Sequence, residues 1–179
     1  MNKAVKASRQ KGGGFNLVAV KSVKIDGEPI HVFQSVLFLF ESSTAITLEL
    51  DMIVSEVAVK KYKDEKTLIV EVELEDGRVI GSIMNLTILS GELPQMNLYM
   101  EVEDTEEYHD LLRVNENDSS FPIIGEELTI KDIRKVEMPY EKMNLRLTLP
   151  IDQVEWLKKQ KGKELNALFE NLIYNHWGK

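Results

Sequence analysis

A chain of 179 residues is long enough for one domain, or one domain with a small appendage, and it needs no disulfide or metal staple to bury a core. The absence of cysteine excludes a disulfide framework, a thiolate zinc site and a cysteine nucleophile, and it fits a reducing, cytoplasmic setting. The net charge of −8 is uneven, with +4 on residues 1–14, +3 on residues 142–179 and −15 between them. An acidic body repels nucleic acid, so a contact of that kind has to come from the ends.

Residues 1–14 carry Lys3, Lys6, Arg9, Lys11 and three consecutive glycines. They show no apolar periodicity and read as a flexible basic tail, without the apolar centre of a signal peptide. Residues 15–141 read as an acidic, antiparallel β-rich domain. Phe15 to Ile25 is a predicted strand with an Asp26-Gly27 turn behind it. Ser35 to Glu41 and Thr44 to Ile53 are two more, separated by Ser42-Ser43. The longest apolar run, Val36 to Phe40, is far too short to cross a membrane.

The clearest element starts at Thr67. Leu68, Val70, Val72 and Leu74 alternate with Ile69, Glu71 and Glu73, the period of a strand with one buried face. Asp76-Gly77 predicts a type I′ hairpin turn with Glu75 opposite Arg78. The returning strand runs to Leu89, and its Gly81 suggests a bulge or a crowded spot. Met96 to Glu103 is a further strand. Thr105 to Leu112 predicts a short helix capped by Thr105, and Asn115 to Pro122 a polar loop. Leu128 to Val136 fits strand and helix equally. Short strands without alternating long helices predict an α+β protein, mainly β: an antiparallel sandwich or barrel followed by a C-terminal helical segment.

Chemistry-bearing motifs are sparse. His31, His109 and His176 have no second ligand at zinc-site spacing, and His109 with Glu106, Glu107 and Asp110 reads as a solvated turn. The acidic runs at Glu71 to Asp76 and Glu101 to Glu107 alternate with apolar residues, which makes them the wet face of a sheet rather than paired catalytic carboxylates. The expectation is a non-catalytic protein with no metal and no cofactor.

Residues 142–179 carry the last pattern. Leu145, Leu147 and Leu149 share one face of a short strand, and Asn144, Arg146 and Thr148 share the other. Pro150 can start a helix with Asp152 in its first turn, where the helix dipole favours an acid. Val154, Trp156 and Leu157 give apolar positions, Gly162 interrupts, and Leu165, Leu168, Phe169, Leu172, Ile173 and Trp177 recur at spacings of three and four. The segment reads as one long helix weakened at Gly162, or as a helix-turn-helix pair.

The stretch from Met143 to Trp177 resembles the ribbon-helix-helix DNA-binding family of the Arc repressor type. The resemblance lies in the alternating strand, the proline after it, the glycine between the helices, and Phe169 and Ile173 at the seventh and eleventh positions after that glycine. Glu164 stands where the family usually has a Ser or Thr cap. The resemblance implies an intertwined homodimer whose two-stranded ribbon enters the major groove. Asn144, Arg146 and Thr148 would then face base edges, with Lys142, Lys158 and Lys159 on phosphates. Two functions follow. The first is a protein-interaction or regulatory module, with Trp156, Leu165, Phe169, Ile173 and Trp177 serving a protein partner or self-association. The alternative is a DNA-binding transcriptional regulator with a β-rich body. Neither involves a membrane.

Overall fold

The computed structural model describes residues 18–118 and 121–177, so the tail expected over residues 1–14 lies outside the described residues. The chain divides into two compact units, residues 1–140 and 141–179. The fold is α+β and mainly β. Among the described residues no helix is long and apolar enough to cross a membrane.

The first unit is built on eight strands: β1 (Val20–Ile25), β2 (Glu28–Ile30), β3 (Gln34–Glu41), β4 (Ile46–Ile53), β5 (Thr67–Leu74), β6 (Val79–Leu89), β7 (Gln95–Glu101) and β8 (Leu112–Asn115). Helices α1 (Glu56–Tyr62) and α2 (Ile130–Val136) accompany them. All eight strands join one open sheet in the order β2-β1-β5-β6-β7-β4-β3-β8. Every pairing is antiparallel except the last, where β8 runs parallel to β3 with Phe38 opposite Leu112. The sheet is therefore mixed, not wholly antiparallel.

The alternation in β5 has the expected consequence. Leu68, Val70, Val72 and Leu74 are buried, while Ile69, Glu71 and their neighbours on the other face meet solvent. The buried face continues through Val23 and Ile25 of β1, Leu48 and Leu50 of β4, and Met96 and Leu98 of β7. Leu37 and Leu39 of β3 join the same cluster as β1, although four strands separate β1 from β3 in the sheet. The sheet therefore curls until its two ends share one core. Tyr62 of α1 is buried in that core, with Ala58 and Val59 packed against it. On the opposite face, Val36 and Phe38 pack under Val114 of β8 and Ile124 in a smaller cluster.

Turn chemistry follows the expectation of a turn at one hairpin and differs from it at another. Asp26 and Gly27 both have positive φ, 52° and 80°, so the type I′ turn joins β1 to β2. At the β5–β6 hairpin only Gly77 is positive, at 91°; its N–H donates to the Leu74 carbonyl, giving a tight turn with glycine at the left-handed position. Arg78 does not pair with Glu75. It bridges Asp76 (Nε to Oδ2, 2.8 Å) and Asp110 (Nη1 to Oδ1, 3.0 Å). Gly81 is neither bulged nor crowded: the β5–β6 register is continuous through it, and a Cβ there would meet nothing within 4 Å. The shift in register falls in β1 between Val20 and Ser22.

Four short elements were illegible or misread in the sequence. Thr105 precedes a single 3-10 turn, Glu106–Tyr108, not a longer helix, and makes no side-chain cap. The residues that follow form β8. The segment 54–66 holds α1, capped by Ser55, whose Oγ accepts from the Ala58 N–H at 3.0 Å. The ambiguous 128–136 segment is helical because Thr129 and Asp132 cap it reciprocally. Arg134 then grips Glu56 through two bonds of 2.7 and 2.8 Å, and Ser55 donates to Glu137, so the C-terminal turn of α2 is tied to the N-terminus of α1.

The second unit contains α3 (Ile151–Lys159) and α4 (Gly162–His176) after a stretch with no helix or strand. The segment is two helices, not one. The break falls at Gln160 and Lys161, and Gly162 opens α4 instead of interrupting it. Pro150 occupies the cap of α3, one position before its first helical residue, and Asp152 lies in the first turn as expected. Glu164 accepts from the Lys161 N–H at 3.2 Å, so an acid at this position supports the start of α4 in place of a hydroxyl cap.

Candidate functional site

The curled interior of the first unit is filled by side chains, which leaves surface clefts as the alternatives. One, of about 420 Å³, lies among Ile53, Leu93, Gln95, Ile124, Leu128 and Thr129. It gathers no titratable pair. The other, of about 360 Å³, includes Glu28, His31, Lys61, Tyr62 and Glu137. Here Lys61 is paired with Glu28, and Glu137 accepts from Ser55, so the charges already answer one another. His109 Nδ1 bonds the Glu106 carbonyl oxygen at 2.8 Å, and Asp110 is held by Arg78, so the acids around His109 do not converge on it. No group of three or more His, Asp or Glu able to hold a metal occurs among the described residues.

The acidic strand residues also differ in environment. Lys21 bonds Glu73 at 2.6 Å and Lys24 bonds Glu71 at 2.5 Å across the β1–β5 pair. On β4, Glu49 and Asp51 both accept from the Asn97 amide, at 3.1 and 2.7 Å. Asn97 is one of the buried polar residues. Burial pushes the Asp51 carboxyl above its ordinary value, and the neighbouring Glu49 charge adds to that, while the Asn97 bond opposes it. Asn97 thus answers both carboxylates on a partly covered part of the sheet face.

The second unit is different. Residues 141–150 form neither helix nor strand and join none of the eight strands of the sheet. Within that stretch Met143, Leu145 and Leu147 are 74%, 58% and 51% exposed. No residue of α3 or α4 is buried. Val154 and Leu157 of α3, and Leu165 and Phe169 of α4, are half-buried and mark one stripe. Leu168, Leu172 and Ile173 flank it and are exposed, as are Trp156, Tyr174 and Trp177. An apolar stripe uncovered on three successive elements lacks the cover that a folded unit of this size needs.

The polar residues singled out in this unit, Asn144, Arg146, Thr148, Lys142, Lys158 and Lys159, are exposed. Asn144, Arg146 and Thr148 alternate with the leucines along the stretch, and Lys142, Lys158 and Lys159 flank them in sequence. Among the described residues none of these four cations takes part in a salt bridge. A pairing of Arg146 with an acid on a neighbouring strand of its own sheet does not occur.

No match was found to any protein-family model, curated protein or solved structure. The site must therefore be read from its residues.

Proposed function

We propose that the protein is a cytoplasmic, non-catalytic regulator whose C-terminal unit self-associates and reads duplex DNA through an intermolecular ribbon. The observation that supports this is the stretch Met143–Leu149, which forms neither helix nor strand. It carries an alternating leucine face, it is exposed, and it has no partner strand in its own chain. An unpaired apolar strand in water is unfavourable, and a second copy of the same strand supplies both the missing backbone partners and cover for the leucines. In a two-fold antiparallel ribbon, Leu145, Leu147 and Leu149 turn toward the stripes of α3 and α4. Asn144, Arg146 and Thr148 turn outward.

Those outward residues suit a major-groove edge. Arg146 can grip guanine O6 and N7 bidentately, Asn144 can pair with adenine N6 and N7, and the Thr148 methyl can meet a thymine methyl. Lys142, Lys158 and Lys159 would contact phosphates. Six such lysines in a dimer predict a slope of about −5 in log K against log salt. The test is fluorescence anisotropy with duplex DNA between 20 and 200 mM salt, followed by selection of a preferred sequence. Arg146→Ala should cost about 1–3 kcal/mol at that sequence and relax preference at one base position. Wild-type protein with no salt-dependent binding refutes the DNA reading.

The second reading is a protein-interaction module with no DNA role. The 52% exposure of Trp156, which falls off the stripe of Val154 and Leu157, favours it, since exposed tryptophans commonly anchor protein interfaces. Self-association without DNA binding in the same assay would select this reading.

A further inference from the structure

We propose that the outer face of β5 and β6 is a two-fold contact between the first units of two copies of this chain. It does not rest on the ribbon and fails or holds without it. At the β3 end of the sheet, Val114, Ile124 and Phe121 pack over the outer face. Over β5 and β6 the same face carries Ile69 and Ile83, directly opposite each other, with Val79 further along β6. The three are 63%, 67% and 58% exposed. Gly81 lies between Val79 and Ile83 on that face. Glycine weakens the interior of a strand, and it occurs where the strand bulges, bends, or is approached closely by a ligand or another backbone. Here the register runs straight through, and a Cβ would meet nothing within 4 Å. The chain's own packing does not require a glycine at this point, and the bare shelf is open to an outside group.

The charges beside the shelf select the occupant. In the strand order β1-β5-β6-β7 the isoleucine pair is central, with Lys21 and Lys24 of β1 on one side and the exposed Glu101 of β7 on the other. Turning a second copy over about an axis that runs along the strands, between β5 and β6, lays its Ile83 on Ile69. The same turn lays its β7 glutamate over the β1 lysines. Lys21 already holds Glu73 and Lys24 holds Glu71, so each lysine then lies between acids of both copies. Gly81 is the cross-strand neighbour of Glu71, so it comes to lie under the Glu71 of the second copy, and its missing side chain leaves room for that longer one. The face thus complements itself, as a two-fold interface requires. Sheets packed face to face lie about 10 Å apart, with strands within about 30° of each other. Edge-to-edge association at β2 has no such support, because that strand is three residues long and carries Pro29. The apolar centre is small against the roughly 800 Å² that each partner of a stable complex contributes, so the contact is a weak one.

The experiment uses the full chain with Leu145→Lys and Leu147→Lys, so that a ribbon cannot supply the association. Sedimentation equilibrium is run over a hundredfold concentration range at about 0.15 M salt, where repulsion between acidic bodies is screened beyond about 8 Å. That parent chain should still dimerise. Gly81→Thr added to it should weaken the dimer about tenfold, while the melting temperature stays level or rises, because a β-branched residue suits a strand and has room within its own chain. Ile83→Lys should weaken the dimer by a similar factor. Lys24→Glu should weaken it about fivefold, and Glu101→Lys added to Lys24→Glu should restore the parent's affinity, a rescue that loss of stability cannot imitate. A parent chain that stays monomeric across the range overturns the contact. So does a dimer unmoved by Gly81→Thr and Ile83→Lys, or a charge reversal that the second substitution fails to rescue. Each of these results leaves the ribbon standing, since its own tests use the chain with native leucines.

Discussion

Leu147 offers the most direct test of self-association. Its side chain is 51% exposed in the single chain, on the leucine face of the stretch Met143–Leu149. Fully burying a leucine is worth about 1.5–3 kcal/mol, so covering the exposed half adds about 1 kcal/mol per chain. A two-fold dimer contains two copies, and Leu147→Ala should therefore weaken the dimer by about 2 kcal/mol, or roughly thirtyfold in dissociation constant. Sedimentation equilibrium across a hundredfold concentration range reads this directly. The melting of the first unit is the internal control, because Leu147 belongs to neither of its apolar clusters. A dissociation constant within twofold of wild type would show that this leucine is not covered by a second chain, and the ribbon geometry would fail with it.

Three further predictions concern the body. Gly125 has φ of 96°, and a Cβ there would stand 2.9 Å from Ile53 Cδ1 and 3.0 Å from Leu93 Cδ1, so Gly125→Ala should destabilise by about 1–3 kcal/mol in urea unfolding. Ser55 is fully buried, caps α1 and donates to Glu137; Ser55→Ala should cost about 1–2 kcal/mol, and Glu137→Gln, which keeps an acceptor, should cost less in the same melt. Asp51 has its folded pKa raised by burial, so its folded form holds a proton that the unfolded chain has already lost. Stability therefore falls as pH rises from the unfolded value near 4 through the folded one, and Asp51→Asn should melt higher than wild type at pH 7 with the gap closing near pH 3. A gap that widens toward acid would contradict the sign.

Local patterning determined a good deal by itself. Period-two alternation assigned the buried face of β5 residue by residue, because a strand turns successive side chains to opposite sides whatever it pairs with. In the second unit the proline and the three-and-four spacing marked the start of α3 and helical sequence after it, since caps and stripes depend on neighbours only a few residues away, but left one helix or two open. Non-local pairing was beyond such reasoning. The four residues of β8 carry too little pattern to separate strand from helix, and they become a strand because the edge of β3 accepts them in parallel. The type I′ turn went to Asp26-Gly27, not Asp76-Gly77, although the two dipeptides are identical; the flanking hairpins impose different loop lengths on them. The sequence of Met143 to Leu149 suits the last strand of its own sheet as well as it suits a ribbon. Only the tertiary structure decided against the first: among the described residues the sheet ends at β2 and β8 with that stretch at neither edge, and Leu145 and Leu147 are exposed.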